Sequence, residues 1–266
     1  MNILAVIPAR YGSTRFAAKV LAKDTGKFLI QHTYERACLA KLPQKVIIAA
    51  DDEKIVAAAY TFGAECKLTS PEHASGTDRI AEVVAELDVD IVVNLQADEP
   101  EIDPDNIDYV TKLLVDNPDY PMATLAAPFE NTQQIADSNI VKVIVADSGQ
   151  RTADSKKLDA KRSTLNAECG QAIYFSRSVI PYDRQKSGIG NVSQYLRHIG
   201  IYAYRKEFLL KITKLPQTPL EKIEKLEQLR AIENGYKILV GKVKHTCDGI
   251  DTPEQYAEFV KRYTKG

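Results

Sequence analysis

The chain is short of the features that mark secreted, membrane and nucleic-acid-binding proteins. Its four cysteines (Cys38, Cys66, Cys169, Cys247) lie far apart, with no C-x-x-C pair and no metal-ligand spacing. That pattern predicts reduced, mostly structural thiols in a cytosolic protein. Neither sign of charge is in surplus: 35 basic and 36 acidic residues leave a net charge of −1. A general nucleic-acid binder or a membrane-surface protein needs a broad basic field, so both are excluded and the cations must act locally. No apolar run approaches a membrane span, and no charged segment followed by an apolar one opens the sequence. The expected setting is the cytoplasm. At 266 residues the chain is one large or two small domains, with no internal repeat.

What is present is concentrated in the first residues. The apolar strand Ile3-Leu4-Ala5-Val6-Ile7-Pro8 opens into Ala9-Arg10-Tyr11-Gly12-Ser13-Thr14-Arg15-Phe16-Ala17-Ala18-Lys19. Glycine, serine and threonine let backbone N–H groups turn toward an anion, and Arg10, Arg15 and Lys19 neutralise it. A polar surface turn with scattered charges is the plainer meaning of this segment alone. Its place after the first strand of an α/β pattern puts it where such sheets bind ligands.

Strands and helices then alternate. A helix is expected over 28–40, a buried strand at 46–50, a helix over 53–62 capped by Asp51-Asp52 and stopped by Gly63, and a strand at 65–68. A polar loop follows at 69–77, then a helix over 78–87 and a strand at 91–95. Repeated β-α-β units demand a mostly parallel sheet flanked by helices. Beyond about residue 120 the pattern changes to strands at 122–128, 141–146, 172–175, 198–204 and 238–243. One helix is expected over 219–234, with Thr218 as cap and Pro219 in its first turn, and another over 252–263. The stretch 147–170 is polar and lysine-rich, and reads as a loop or hairpin extension.

Two acidic points each follow a strand. Gln96-Ala97-Asp98-Glu99-Pro100 places a carboxylate in the same crevice as the first loop, where it can hold Mg2+ together with nucleotide phosphates. Asp248-Gly249-Ile250-Asp251-Thr252-Pro253 opens the last helix, and by itself Asp251 reads as an N-cap. Ser75-Gly76-Thr77-Asp78-Arg79 joins a helix start to an arginine. Glu224, Glu227 and Gln228 share a face of the 219–234 helix, which usually means a solvated surface. His198 alone reads as a structural histidine.

Taken in order, Ile7–Arg15, Ser75–Arg79, Asn94–Pro100, Tyr174-Phe175-Ser176-Arg177, Arg197–Tyr204, Leu226–Arg230 and Ile250–Pro253 closely resemble the 3-deoxy-manno-octulosonate (KDO) cytidylyltransferases over essentially the whole chain. The resemblance implies a Rossmann-like, three-layer nucleotidyltransferase fold with a smaller β-hairpin extension for dimerisation. It implies a single domain over 1–266, with 1–120 mainly holding CTP and 121–266 mainly serving the sugar and the dimer. The reaction implied is coupling of CTP to KDO, giving CMP-KDO and pyrophosphate for lipopolysaccharide synthesis. A related acid such as 8-amino-KDO, or a non-catalytic nucleotide binder, is the alternative. By the same resemblance Arg10, Lys19, Asp98 and Asp251 are catalytic, and Asp98 and Asp251 hold Mg2+. Ala9, Arg10, Ser13, Lys19, Ser75, Arg79, Gln96 and Asp98 meet the nucleotide. Arg177, His198, Tyr202, Glu227 and Gln228 line the sugar side. The expected assembly is a homodimer.

The chain departs from the family pattern twice. Ala17-Ala18-Lys19-Val20-Leu21 stands where the family reads Pro-Gly-Lys-Pro-Leu, and Ala97 stands where it reads Gly. If either glycine serves a left-handed turn, alanine strains it.

Overall fold

A computed structural model describes all residues except 13–15, 148–168, 245, 247 and 265–266. The expected readings of Ser13, Thr14, Arg15 and Cys247, and most of the 147–170 stretch, lie outside the described residues. The chain forms two compact units that are discontinuous in sequence. The first comprises 1–112, 201–213 and 247–266; the second comprises 113–200 and 214–246. A division near residue 120 therefore lies close to the first boundary, but the later sequence returns twice to the first unit.

In the first unit the strands are β1 (Ile3–Ala9), β2 (Lys45–Ala50), β3 (Glu65–Leu68) and β4 (Ile91–Asn94). They are parallel in the order β3-β2-β1-β4. β8 (Leu196–Arg205) contributes its second half, Tyr202 to Arg205, antiparallel to β4. β1 is buried along its whole length, as its unbroken apolar run requires of a central parallel strand. Of the helices α1 (Leu29–Ala37), α2 (Glu53–Thr61), α3 (Gly76–Val84), α4 (Pro104–Asp116), α5 (Thr132–Ala136) and α6 (Lys206–Ile212), the first three are the crossovers of this unit. Two of them step outward from β1 to β2 to β3, and the third jumps back across β1 to β4. Right-handed crossovers then place α1 and α2 on one face and α3 on the other. The reversal makes β1/β4 the topological switch point, and the crevice beyond their carboxyl ends is where a ligand belongs.

Local signals explain the ends of these helices. Asp52 caps α2 by accepting the Lys54 N–H, and Gly63 stops the helix with φ at 73°. Ser75 and Asp78 form a capping box on α3, which starts two residues earlier than its sequence pattern suggests. The closing helix α9 (Pro253–Tyr263) is capped by Thr252, in a box with Gln255. Its Tyr256 and Phe259 pack with Leu29, Ile250 and Phe16, and the Tyr256 hydroxyl accepts the Asp24 N–H. This cluster binds the end of the chain to the segment that follows the first loop.

In the second unit β5 (Met122–Pro128) runs parallel to β9 (Ile238–Lys242). β9 pairs antiparallel with β7 (Cys169–Ser176), and β7 with β6 (Lys142–Asp147). β6 also meets the first half of β8 at Lys142 and Arg197. β6 and β7 pair over most of their length, with Asp147 opposite Gly170. A Cβ at Gly170 would collide with the Ala146 carbonyl, so glycine is required there by close approach.

The single helix expected over 219–234 is corrected: α7 (Pro219–Glu224) and α8 (Gln228–Glu233) are separated by Lys225 at φ 54°. Glu224 therefore does not share a helix face with Glu227 and Gln228.

Candidate active site

The crevice at the switch point is built around Lys19. Its ammonium lies 2.6 Å from Asp98 Oδ2 and 3.1 Å from Asp251 Oδ1. The lysine side chain is 11 % exposed, against 28 % for Asp98 and 44 % for Asp251, so the cation is the sheltered member and its partners open outward. Lys19 begins a short 3-10 turn after the first loop, Asp98 follows β4, and Asp251 precedes α9. The Ile250 N–H donates to the Asp98 carbonyl at 2.8 Å, which holds the two acidic segments together. The N-cap reading of Asp251 is corrected, since Thr252 caps the helix and frees the Asp251 carboxylate for Lys19.

The turn carrying Lys19 is strained. Ala18 has φ 51° and ψ 29°, in the left-handed region that glycine occupies freely. Ala97 lies outside that region; it is buried, and its carbonyl accepts the Thr33 hydroxyl. Of the two departures from the family pattern, only the first sits where backbone conformation calls for glycine.

A second cluster lies beyond β2 and β3. Arg79 is fully buried; its Nη1 donates to Thr69 Oγ1 at 2.5 Å and to the Ser70 carbonyl at 3.1 Å. Asp51 Oδ2 lies 3.5 Å from Nη2, and among the described residues neither Nε nor Nη2 has a hydrogen-bond acceptor. Burial pulls the Arg79 pKa down, Asp51 opposes that, and Arg10 adds to it. Arg10 is exposed at the start of the loop, and Ala9 is the buried last residue of β1. The Ser75 hydroxyl is engaged with Asp78, so Ser75 serves α3. Gln96 is half-buried at the turn leading to Asp98, where its carbonyl accepts the Glu99 N–H.

The residues assigned to the sugar side divide between the units. Tyr202 belongs to the first, stacked on Tyr204 with centroids 5.8 Å apart. Arg177, His198, Glu227 and Gln228 belong to the second. Arg177 is held firmly: its Nε donates to the Glu224 carbonyl and its Nη1 to the Ser138 carbonyl, while its backbone N–H donates to Glu224 Oε2. Glu224 also accepts the Ser176 hydroxyl at 2.6 Å, so the solvated role expected for it is replaced by a structural one. The buried Lys142 ammonium donates to the carbonyls of Asp137, Ile140 and Arg177.

The His198 Nε2 lies 2.9 Å from the Thr124 hydroxyl, which itself donates to the Ile199 carbonyl, so Nε2 carries the proton. Its surface is not fully covered, yet the protein packed around it pushes its pKa down to about 3. His198 therefore presents a neutral ring near pH 7. Gln228 is buried with an amide Nε2 that finds no partner among the described residues. Glu227 leans toward Arg230, whose main partner is the buried Glu221.

Sequence reasoning missed Asp51 and Thr69. Two adjacent aspartates offered one cap, and nothing local says that the second takes it. Thr69 carries no signal beyond its place in a polar loop.

Comparison with known proteins agrees with this fold. The profile of the family described as "Cytidylyltransferase" matches residues 4–238. The chain is 45 % identical over 99 % of its length to a 3-deoxy-manno-octulosonate cytidylyltransferase of Solibacter usitatus (strain Ellin6076), covering 95 % of that protein. It is 44 % identical over 96 % of its length to the enzyme so named from Syntrophotalea carbinolica (strain DSM 2380 / NBRC 103641 / GraBd1), again covering 95 %. Among solved structures, a CMP:2-keto-3-deoxy-manno-octonic acid synthetase complexed with CTP matches with a TM-score of 0.86 and 36 % identity, over 100 % of this chain and 99 % of that one. With likeness at this level from end to end, the chain belongs to the 3-deoxy-manno-octulosonate cytidylyltransferase family.

Proposed function

We propose that this enzyme transfers the cytidylyl group of CTP to the anomeric hydroxyl of KDO, releasing pyrophosphate and forming CMP-KDO for lipopolysaccharide synthesis. The observation that carries the reading is the Lys19 ammonium set between Asp98 and Asp251 at the switch point of a parallel sheet, in a chain of this family. The new bond joins the anomeric oxygen to the α-phosphorus, and the bond to the bridging oxygen breaks, with pyrophosphate taking its electron pair. Positioning and charge neutralisation dominate such a step, and no protein nucleophile is needed. Arg10 and Lys19 neutralise the charge that develops on the departing pyrophosphate.

Asp98 and Asp251 are the residues that would hold Mg2+. Their chemistry fits: two carboxylates converge on one cation, and hard divalent ions take one or two carboxylates with phosphate and water oxygens. Among the described residues no third His, Cys, Asp or Glu joins them. When bound, the ion neutralises the phosphates and acidifies the attacking hydroxyl. Among the described residues no helix is long and apolar enough to cross a membrane. A homodimer working in the cytoplasm completes the proposal on the strength of the family likeness.

On the sugar side, Arg177 offers Nη2 to the acid's carboxylate from a guanidinium already fixed by two carbonyls. Gln228 offers an amide Nε2 that has no partner among the described residues, and His198 a neutral ring. The test is pyrophosphate release from CTP and Mg2+ with KDO, 8-amino-KDO, a sialic acid or no sugar. Release with KDO, lost in Asp98→Asn, is the expected result. Release with another acid alone would move the acceptor; silence with every acid would refute the transferase reading.

A further inference from the structure

Asp51 neither caps a helix nor belongs to the Lys19 cluster, yet it is half-buried beside the nucleotide crevice. It stands one residue past β2, at the carboxyl edge of the sheet. One of its oxygens accepts the Tyr11 N–H at 2.8 Å, which fixes the backbone next to Arg10. The other faces Arg79 Nη2 at 3.5 Å, beyond a good hydrogen bond but well within Coulombic reach. The same β2–α2 turn reaches Tyr11 a second time, since Lys54 Nζ lies 4.3 Å from the centre of its ring.

The Arg79 guanidinium explains why a carboxylate is needed here. A wholly buried cation left with two nitrogens lacking an acceptor is costly, and such groups persist where a ligand completes them. Thr69 and Ser70 hold one end of the guanidinium, and Asp51 neutralises the other without taking its hydrogens. Two of its nitrogens thus keep hydrogens that no described residue takes.

We propose that Asp51 is a positioning residue for the nucleotide: its two carboxylate oxygens tie the first loop at Tyr11 to the Arg79 guanidinium, so that Arg10 and Arg79 are presented to CTP as one unit. This rests on the nucleotide half of the functional reading and makes no use of the sugar half. Asp51→Asn keeps an acceptor for the Tyr11 N–H and removes the charge beside Arg79, whereas Asp51→Ala removes both.

The test is equilibrium binding of CTP without sugar, by calorimetry, on the whole chain. CTP should bind about tenfold more weakly to Asp51→Asn and more weakly still to Asp51→Ala, the scale of one charge-assisted contact. The KM for KDO should stay within about twofold, because Asp51 acts only through nucleotide groups. In an Arg79→Lys background the Asp51→Asn effect should largely vanish, as it does for residues acting through one another. The proposal is overturned if Asp51→Asn binds CTP like the parent, if CTP and KDO weaken alike, or if the effect persists undiminished with Arg79→Lys. A parent that binds CTP but turns over no sugar acid would sink the KDO reading and leave this one to be decided by the Asp51 variants. A parent that binds no CTP overturns both.

Discussion

Ala18→Gly should stabilise this protein, although glycine usually weakens a fold. The perturbation is local: Ala18 holds φ 51° and ψ 29° immediately before Lys19, and its carbonyl accepts the Leu21 N–H at 2.8 Å. An L-residue in the left-handed region costs roughly 1–2 kcal/mol through the clash of Cβ with the following carbonyl oxygen. Glycine removes that cost but adds roughly 0.5–1 kcal/mol of backbone entropy lost on folding. The net gain is about 0.5–1 kcal/mol, which for a chain of this size raises Tm by about 2 °C.

Ala97→Gly supplies the opposite sign. Ala97 is outside the left-handed region and buried, so glycine gains nothing from strain and loses both entropy and a packed methyl. Its midpoint should fall by about as much as that of Ala18→Gly rises. Urea unfolding followed by circular dichroism, with unchanged slope, reads both. A neutral or destabilising Ala18→Gly, or two glycines that shift the midpoint in the same direction, would refute the reasoning. Because the turn keeps its geometry, kcat/KM for Ala18→Gly should stay within about twofold of the parent.

Lys19→Met should lower kcat by about 100- to 1000-fold, the usual effect of removing a group that meets transition-state charge, measured as pyrophosphate release. The same variant should bind Mn2+ more tightly in the absence of nucleotide, by electron paramagnetic resonance, because Asp98 and Asp251 lose the ammonium that occupies them. His198 has a folded pKa of about 3 against 6.5 for the free side chain. The unfolded chain thus binds the extra proton between those values, so stability is fully present above pH 6.5 and is lost as pH falls toward 3. His198→Gln should flatten the fall of the urea midpoint over that interval, and a midpoint that changes with pH as in the parent would count against a neutral, packed ring. Lys142→Met should destabilise the second unit by about 3 kcal/mol or more, since three carbonyls lose the ammonium hydrogens they accept together. Proteolysis confined to 113–200 and 214–246 would register it, and an unchanged midpoint would argue against that count.

The first unit was legible in the sequence to the extent that single strands and their following loops carry it. The runs Ile3–Ile7, Val46–Ala50 and Ile91–Leu95 are apolar without alternation, and the parallel sheet follows from them. The helix over 219–234 was misread because its end signals, Thr218-Pro219 and Gly235, are sound and its interior contains neither glycine nor proline. What breaks it is tertiary. Glu224 takes the Ser176 hydroxyl and the Arg177 N–H with its carboxylate and the Arg177 Nε with its carbonyl, and Lys225 turns left-handed at that point. No sequence pattern records that the Arg177 guanidinium, 47 residues earlier, will take the Glu224 carbonyl in place of the next helical turn. Asp51-Asp52 and Asp251-Thr252 fail for a related reason. Each offers two cap-forming residues in a row, and the cap goes to the second, Asp52 and Thr252.

That regularity carries a mechanistic consequence. Once Asp52 and Thr252 satisfy the N–H groups of α2 and α9, the carboxylate one residue earlier is no longer needed by its helix and lies just outside the sheet edge. Asp51 then serves Tyr11 and Arg79, and Asp251 serves Lys19. A helix N-terminus also favours nearby negative charge, which suits both carboxylates. Acidic residues doubled with a cap in this way place charge at the crevice with the precision of a helix start, while leaving an oxygen for a cation. At both places the capping residue fixes the backbone, and the carboxylate before it faces a cation: Arg79 for Asp51 and Lys19 for Asp251.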